Sequence, residues 1–92
     1  MIKTFKHKGL KLFFETGDSS GIQAKHRAKI RLQLAALNTA KYIEDMELPG
    51  YDLHALKGKR KDCWSIKVNG NWRITFIFEN GDAHIVNYED YH

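Results

Sequence analysis

Trp64-Ser65-Ile66-Lys67-Val68-Asn69-Gly70-Asn71-Trp72-Arg73-Ile74-Thr75-Phe76-Ile77-Phe78-Glu79-Asn80-Gly81-Asp82-Ala83-His84-Ile85-Val86-Asn87-Tyr88 is the stretch that decides the fold. Its period is two. Trp64, Ile66 and Val68 alternate with Ser65 and Lys67, and Trp72, Ile74, Phe76 and Phe78 alternate with Arg73, Thr75 and Ile77. Ala83 and Ile85 alternate with His84, Val86 and Tyr88. Strict alternation is the mark of strands with one buried face. Asn69-Gly70-Asn71 and Asn80-Gly81 lie between the runs, and both are hairpin signals.

Register follows from keeping the faces unmixed, because a slip of one residue turns every side chain over. A three-residue first loop pairs Val68 with Trp72, Ile66 with Ile74 and Lys67 with Arg73. A two-residue Asn80-Gly81 turn pairs Phe78 with Ala83, Phe76 with Ile85 and Arg73 with Tyr88. On this reading Trp64, Ile66, Val68, Trp72, Ile74, Phe76, Phe78 and Ile85 face the core. Lys67, Arg73, Thr75, His84, Val86 and Tyr88 face outward, and an extended tail adds Asp90 and His92 to them.

Upstream of the chain's one proline, Pro49, the pattern is mostly helical. Leu10, Leu12, Phe13 and Phe14, ending at Gly17, predict a short helix with a glycine cap. Asp18 to Gly21 is a loop. Lys25 to Asn38 is the clearest helix, with Ala24, Ala28, Leu32 and Ala35 as its stripe and Ile30, Leu34 and Leu37 beside it. A further short helix is expected over Thr39 to Glu47, and Met1 to Lys6 alternates loosely enough for an edge strand. The class is α+β: N-terminal helices on one face of a small, mainly antiparallel sheet.

Ninety-two residues set a single domain over 1–92 with one core. The apolar runs span only a few residues, so neither a membrane span nor a signal-peptide core is expected. Cys63 is the only cysteine. An internal disulfide is thereby excluded, as is a thiolate metal site, which suits a reducing cytoplasm. The net charge of +4 favours a polyanionic partner only weakly. Its distribution says more, since Lys57, Lys59, Arg60 and Lys61 lie within five residues.

The chain closes on Asp90, Tyr91 and His92, directly after an apolar, strand-like run. Chain ends normally fray, but a sheet can hold this one. Cleaving RNA without a metal needs a base for the 2′-hydroxyl, cations for the phosphate and an acid for the departing 5′-oxygen. Arg73 has the planar fork for phosphate, Lys57 and Lys67 are point charges, and His92 titrates near neutrality. Each also has an ordinary role: Arg73 can stack on Tyr88, and Lys59, Arg60 and Lys61 can form a solvated loop that touches backbone phosphate. His7, His26, His54 and His84 lack ligand spacing, so no metal or other cofactor is expected.

Four blocks carry a resemblance: Leu56-Lys57-Gly58-Lys59-Arg60, Trp64 to Asn69, Asn71 to Phe76, and Asn87-Tyr88-Glu89-Asp90-Tyr91-His92. With Ile2 to Phe5 and Leu12 to Gly17, they resemble the HigB toxins of the RelE/ParE superfamily over essentially the whole length. The resemblance implies a RelE-like fold and a toxin of a type II toxin–antitoxin system in a bacterial cytoplasm. It implies an endoribonuclease that cuts mRNA in the A site of the 70S ribosome, against rRNA, and a HigA-type antitoxin with a helix-turn-helix. Carried over residue by residue, the catalytic set is Lys57, Arg73, Asp90, Tyr91 and His92, with His54 peripheral among the RNA-facing residues. Many relatives have arginine where this chain has Lys67, which keeps the charge and loses the fork. Two alternatives stay open: a non-enzymatic, ParE-like gyrase inhibitor, and a catalytically inactive RNA- or antitoxin-binding relative.

Overall fold

The computed structural model describes residues 1–60 and 62–91. Two helices, α1 (Lys8–Thr16) and α2 (Arg27–Thr39), precede a four-stranded antiparallel sheet. Its strands, in spatial as in chain order, are β1 (His54–Ala55), β2 (Cys63–Asn69), β3 (Trp72–Glu79) and β4 (Asp82–Asp90). The expected α+β class holds.

Local chemistry explains the helices. The His7 imidazole accepts the Leu10 N–H at 3.0 Å, capping α1, and Gly17 ends the helix at φ 83. That left-handed conformation is one glycine adopts without steric cost. One 3₁₀ turn, Ala24–His26, leads into α2. The buried face of α2 is Ile30, Gln33, Leu34 and Leu37 rather than the alanine stripe, and Leu32 is 67% exposed. A glutamine belongs to the apolar face because its Nε2 donates to the Lys67 carbonyl at 2.7 Å. The helix expected over Thr39 to Glu47 is only a 3₁₀ turn, Ile43–Met46. Leu10 and Phe13, the α2 face and Met46 meet Ile66, Val68, Ile74, Phe76, Ala83, Val86 and Tyr88 in one core.

The first hairpin keeps the expected pairs Ile66–Ile74 and Lys67–Arg73. It closes on a Gly70-Asn71 turn, with Asn69 paired to Trp72 and Val68 bulged, instead of a three-residue loop with a Val68–Trp72 pair. The second hairpin begins as expected, Phe78 on Ala83, and then departs. Phe76 lies opposite both Ile85 and Val86, and from there the pairs are Thr75–Asn87, Ile74–Tyr88, Arg73–Glu89 and Trp72–Asp90. Ile85 takes φ 54 at this bulge and is 49% exposed. The extra residue reverses the faces beyond it. Val86 and Tyr88 therefore enter the core, Ile85 leaves it, and Arg73 faces Glu89 rather than Tyr88.

Residues 1–6 lie parallel to β4 as two isolated bridges, Ile2–Ala83 and Phe5–Val86. Ala83 N–H donates to the Met1 carbonyl at 2.9 Å and Lys6 N–H to the Val86 carbonyl at 2.9 Å. The segment covers the edge that β4 would otherwise leave unpaired. At the bulge itself the Thr4 hydroxyl accepts the Ile85 N–H at 2.8 Å.

Candidate active site

Antiparallel partners share a face, so the ladder pairs define what stands on the side away from the helices. One row is His54, Ser65, Thr75 and Asn87; the next is Lys67, Arg73 and Glu89. Cys63, Ile77 and His84 form a third row, and Cys63 is half-buried as its strand position suggests. This face is thus polar and cationic: Ser65 and Thr75 are buried at its middle, and Lys67 and Arg73 lie half-buried beside them.

Two guanidiniums sit there in contrasting states. Arg60 forks onto the Glu89 carboxylate, Nη1 to Oε1 at 2.7 Å and Nη2 to Oε2 at 2.8 Å. The same carboxylate accepts from Thr75 Oγ1 at 2.9 Å and Asn87 Nδ2 at 3.0 Å. The Arg60 fork holds the Glu89 carboxyl below its ordinary range; burial opposes it, and the Thr75 and Asn87 donors reinforce it. Arg60 is stabilised in its charged form by the same contact. It is therefore not part of a freely solvated loop.

Arg73 is different. Among the described residues its one side-chain hydrogen bond is long, from Nη1 to the Gly70 carbonyl at 3.4 Å, and its buried Nε has no partner. A half-buried guanidinium that the described residues engage so little keeps N–H donors able to meet an anion.

The tail is held. Tyr91 N–H donates to the Asn71 carbonyl at 2.7 Å, so the chain stays on the first hairpin's turn to that point. Asp90 pairs with Trp72 at the corner of the sheet and is exposed; Tyr91 is 38% exposed. The bulge shifts the expected parity here too: Asp90 is in register with core-facing Trp72, and the residue facing Arg73 is Glu89. His92 and Lys61 lie outside the described residues. Lys57 and Lys59 are exposed beside and within a 3₁₀ turn, Gly58–Arg60, and His54 is exposed with its ring nitrogen 3.0 Å from the Asp52 carbonyl. Lys67 is half-buried next to Arg73.

The sequence places Thr75 on this face beside Arg73 but assigns it no role, and it singles out neither Glu89 nor Asn87. Glu89 belongs to the closing block, but its place opposite Arg73 depends on a bulge that alternation does not announce.

Beneath the same strand lies an aromatic cluster. Tyr88 packs on Trp72 with ring centroids 4.6 Å apart, and its hydroxyl lies 2.6 Å from His26 Nδ1. His26 is 1% exposed, its Nε2 has no partner among the described residues, and burial lowers its pKa. This packing fixes the strand that carries the tail.

Residues 3–92 match the family model of the RelE-like toxin of the type II toxin–antitoxin system HigB. The chain belongs to the HigB-like toxin family. It is also 56% identical to an endoribonuclease HigB from Proteus vulgaris, the alignment covering all of both chains. HigB-like toxins are one half of a toxin–antitoxin pair, so an antitoxin partner is part of the assignment. Among the described residues no helix is long and apolar enough to cross a membrane.

Proposed function

We propose that this HigB-like toxin is an endoribonuclease that cuts mRNA in the A site of the bacterial 70S ribosome and so arrests translation. The observation that carries the reading is Arg73, a half-buried guanidinium with one long side-chain hydrogen bond among the described residues, flanked in its row by Lys67 and lying beside a tail held to the sheet. The relative's endoribonuclease activity supports it.

Cleavage on this face proceeds by transfer within the RNA. A base takes the proton of the 2′-hydroxyl, and O2′ forms a bond to phosphorus. The bond to the 5′-oxygen breaks, and that oxygen takes a proton from an acid, leaving a 2′,3′-cyclic phosphate. Arg73 grips the phosphate with paired N–H donors as charge builds, and Lys57 and Lys67 act as point charges. His92 transfers protons near neutrality, with Asp90 and Tyr91 assisting. Lys59, Lys61 and His54 contact the flanking RNA backbone. No step requires a metal. The partner that silences the toxin is a HigA-type antitoxin.

Purified protein added to programmed ribosomes, followed by mapping of mRNA ends, tests this. Cuts at the A-site codon that vanish in Arg73→Ala and His92→Ala are the expected result. Intact mRNA beside gyrase-linked DNA breaks overturns it in favour of the gyrase reading, and neither effect leaves an inactive binder.

A further inference from the structure

The proposed catalytic groups come from two segments far apart in sequence, the Lys57–Arg60 stretch and the Asp90–His92 tail. After buried Leu56, whose N–H donates to the Cys63 carbonyl at 2.9 Å, the first stretch has no buried side chain to anchor it. Gly58 adds a left-handed step at φ 70. Among the described residues, every side-chain hydrogen bond that holds this stretch runs through Arg60, to Glu89 and, at 3.4 Å, to Thr75. Glu89 is the residue immediately before the tail.

A carboxylate at the centre of a phosphate-binding face opposes the ligand unless it does something else. Glu89 is poorly suited to be the base. Its oxygens already accept both Arg60 nitrogens, Thr75 and Asn87, so it has little affinity for another proton. What it does is close a two-bond fork in partial burial, the geometry that fixes direction as well as distance.

We propose that Glu89 is a positioning residue of the cleavage site: through Arg60 it pins the Lys57–Arg60 stretch to the strand that carries the tail, fixing Lys57 relative to Arg73 before RNA arrives. The inference rests on the mRNA-cleavage reading above. It separates binding from turnover in opposite directions. Removing the Glu89 charge frees a cation, so RNA is held no less tightly. Losing the tether loosens Lys57, and a displacement of about 1 Å at a reacting group costs on the order of 100-fold in rate.

The test uses full-length Glu89→Gln on programmed ribosomes, with affinity and single-turnover cleavage measured separately and well below the melting temperature. Amide hydrogen exchange over residues 57–60 reports the tether without reference to activity. The expected result is unchanged or tighter binding, cleavage slowed about 10–100-fold, and faster exchange confined to 57–60. The reversed pair Arg60→Glu with Glu89→Arg, which restores the tether, recovers protection and part of the rate. Wild-type cleavage by Glu89→Gln overturns the proposal, and so does slowed cleavage with unchanged exchange at 57–60. Intact mRNA with the native protein itself sinks the nuclease reading, and the positioning role falls with it.

Discussion

The two hairpins of this sheet each contain a bulge, and the bulges have opposite consequences. In the β2–β3 hairpin the extra residue, Val68, sits next to the turn, and the ladder beyond it keeps the pairing that alternation demands. In the β3–β4 hairpin the extra residue enters mid-strand at Ile85, and everything after it changes face. The first leaves Lys67 beside Arg73, as the sequence suggests. The second decides that Glu89, not Tyr88, completes that row. A bulge near a turn adjusts a hairpin; a bulge in mid-strand chooses which residues can act together.

The largest expected effect tests the part of the ladder that both hairpins share. Arg73→Ala removes the phosphate-gripping guanidinium, and A-site cleavage falls roughly 100- to 1,000-fold. Melting temperature changes little, because Arg73 makes only one long hydrogen bond among the described residues. Cleavage within a few-fold of wild type shifts the phosphate site elsewhere on the molecule.

Tyr88→Phe separates the two registers. With Tyr88 facing outward, losing its hydroxyl costs next to nothing. With Tyr88 under the sheet, the substitution strips His26 Nδ1 of its hydroxyl partner, and stability drops by about 1–3 kcal/mol. Denaturant unfolding of the two proteins measures the difference.

The same cluster sets a pH dependence. Burial lowers the pKa of His26, and of His7, which caps α1 through its unprotonated Nδ1. A histidine whose folded pKa lies below its unfolded value of 6.5 takes up protons first in the unfolded chain, so stability declines as pH falls below 6.5. The Glu89 carboxyl, also depressed, contributes its loss only below its ordinary value of 4.5. Melting temperatures from pH 7.5 to 5.5 therefore fall, and the slope shallows in His26→Asn. A flat profile contradicts the buried, neutral histidine.

The smallest effect falls on the bulge itself. A β-branched residue at positive φ carries backbone strain that glycine lacks, about 1–2 kcal/mol. Ile85→Gly relieves it at the cost of a floppier unfolded chain, so the net change is at most about 1 kcal/mol in favour of folding. A large destabilisation shows that the Ile85 side chain matters more than its backbone.

Sequence alone reveals much of this molecule because strong patterns dominate it. Alternation and two glycine turns give β2, β3 and the pair Lys67–Arg73, and Gly17 marks the end of α1. The rest is set by contacts between distant residues. Gln33 hides the buried stripe of α2 because its amide is satisfied only by the Lys67 carbonyl across the core. Arg60 reads as a surface charge until Glu89, far along the chain, is brought opposite it. The two-residue strand β1 is too short to have a period. Ile85 reads as core because nothing in an isoleucine announces positive φ. The candidate site is legible as a set of residue types, while its arrangement depends on that one bulge.

A structure of the toxin on a ribosome carrying mRNA with a 2′-O-methyl group at the scissile nucleotide tests the whole account at once. The expected result is the scissile phosphate on the open face in the grip of Arg73, with Tyr88 still packed on Trp72 beneath the strand. A phosphate seated on the helical side, or the Tyr88 ring turned out to stack on the RNA, contradicts it.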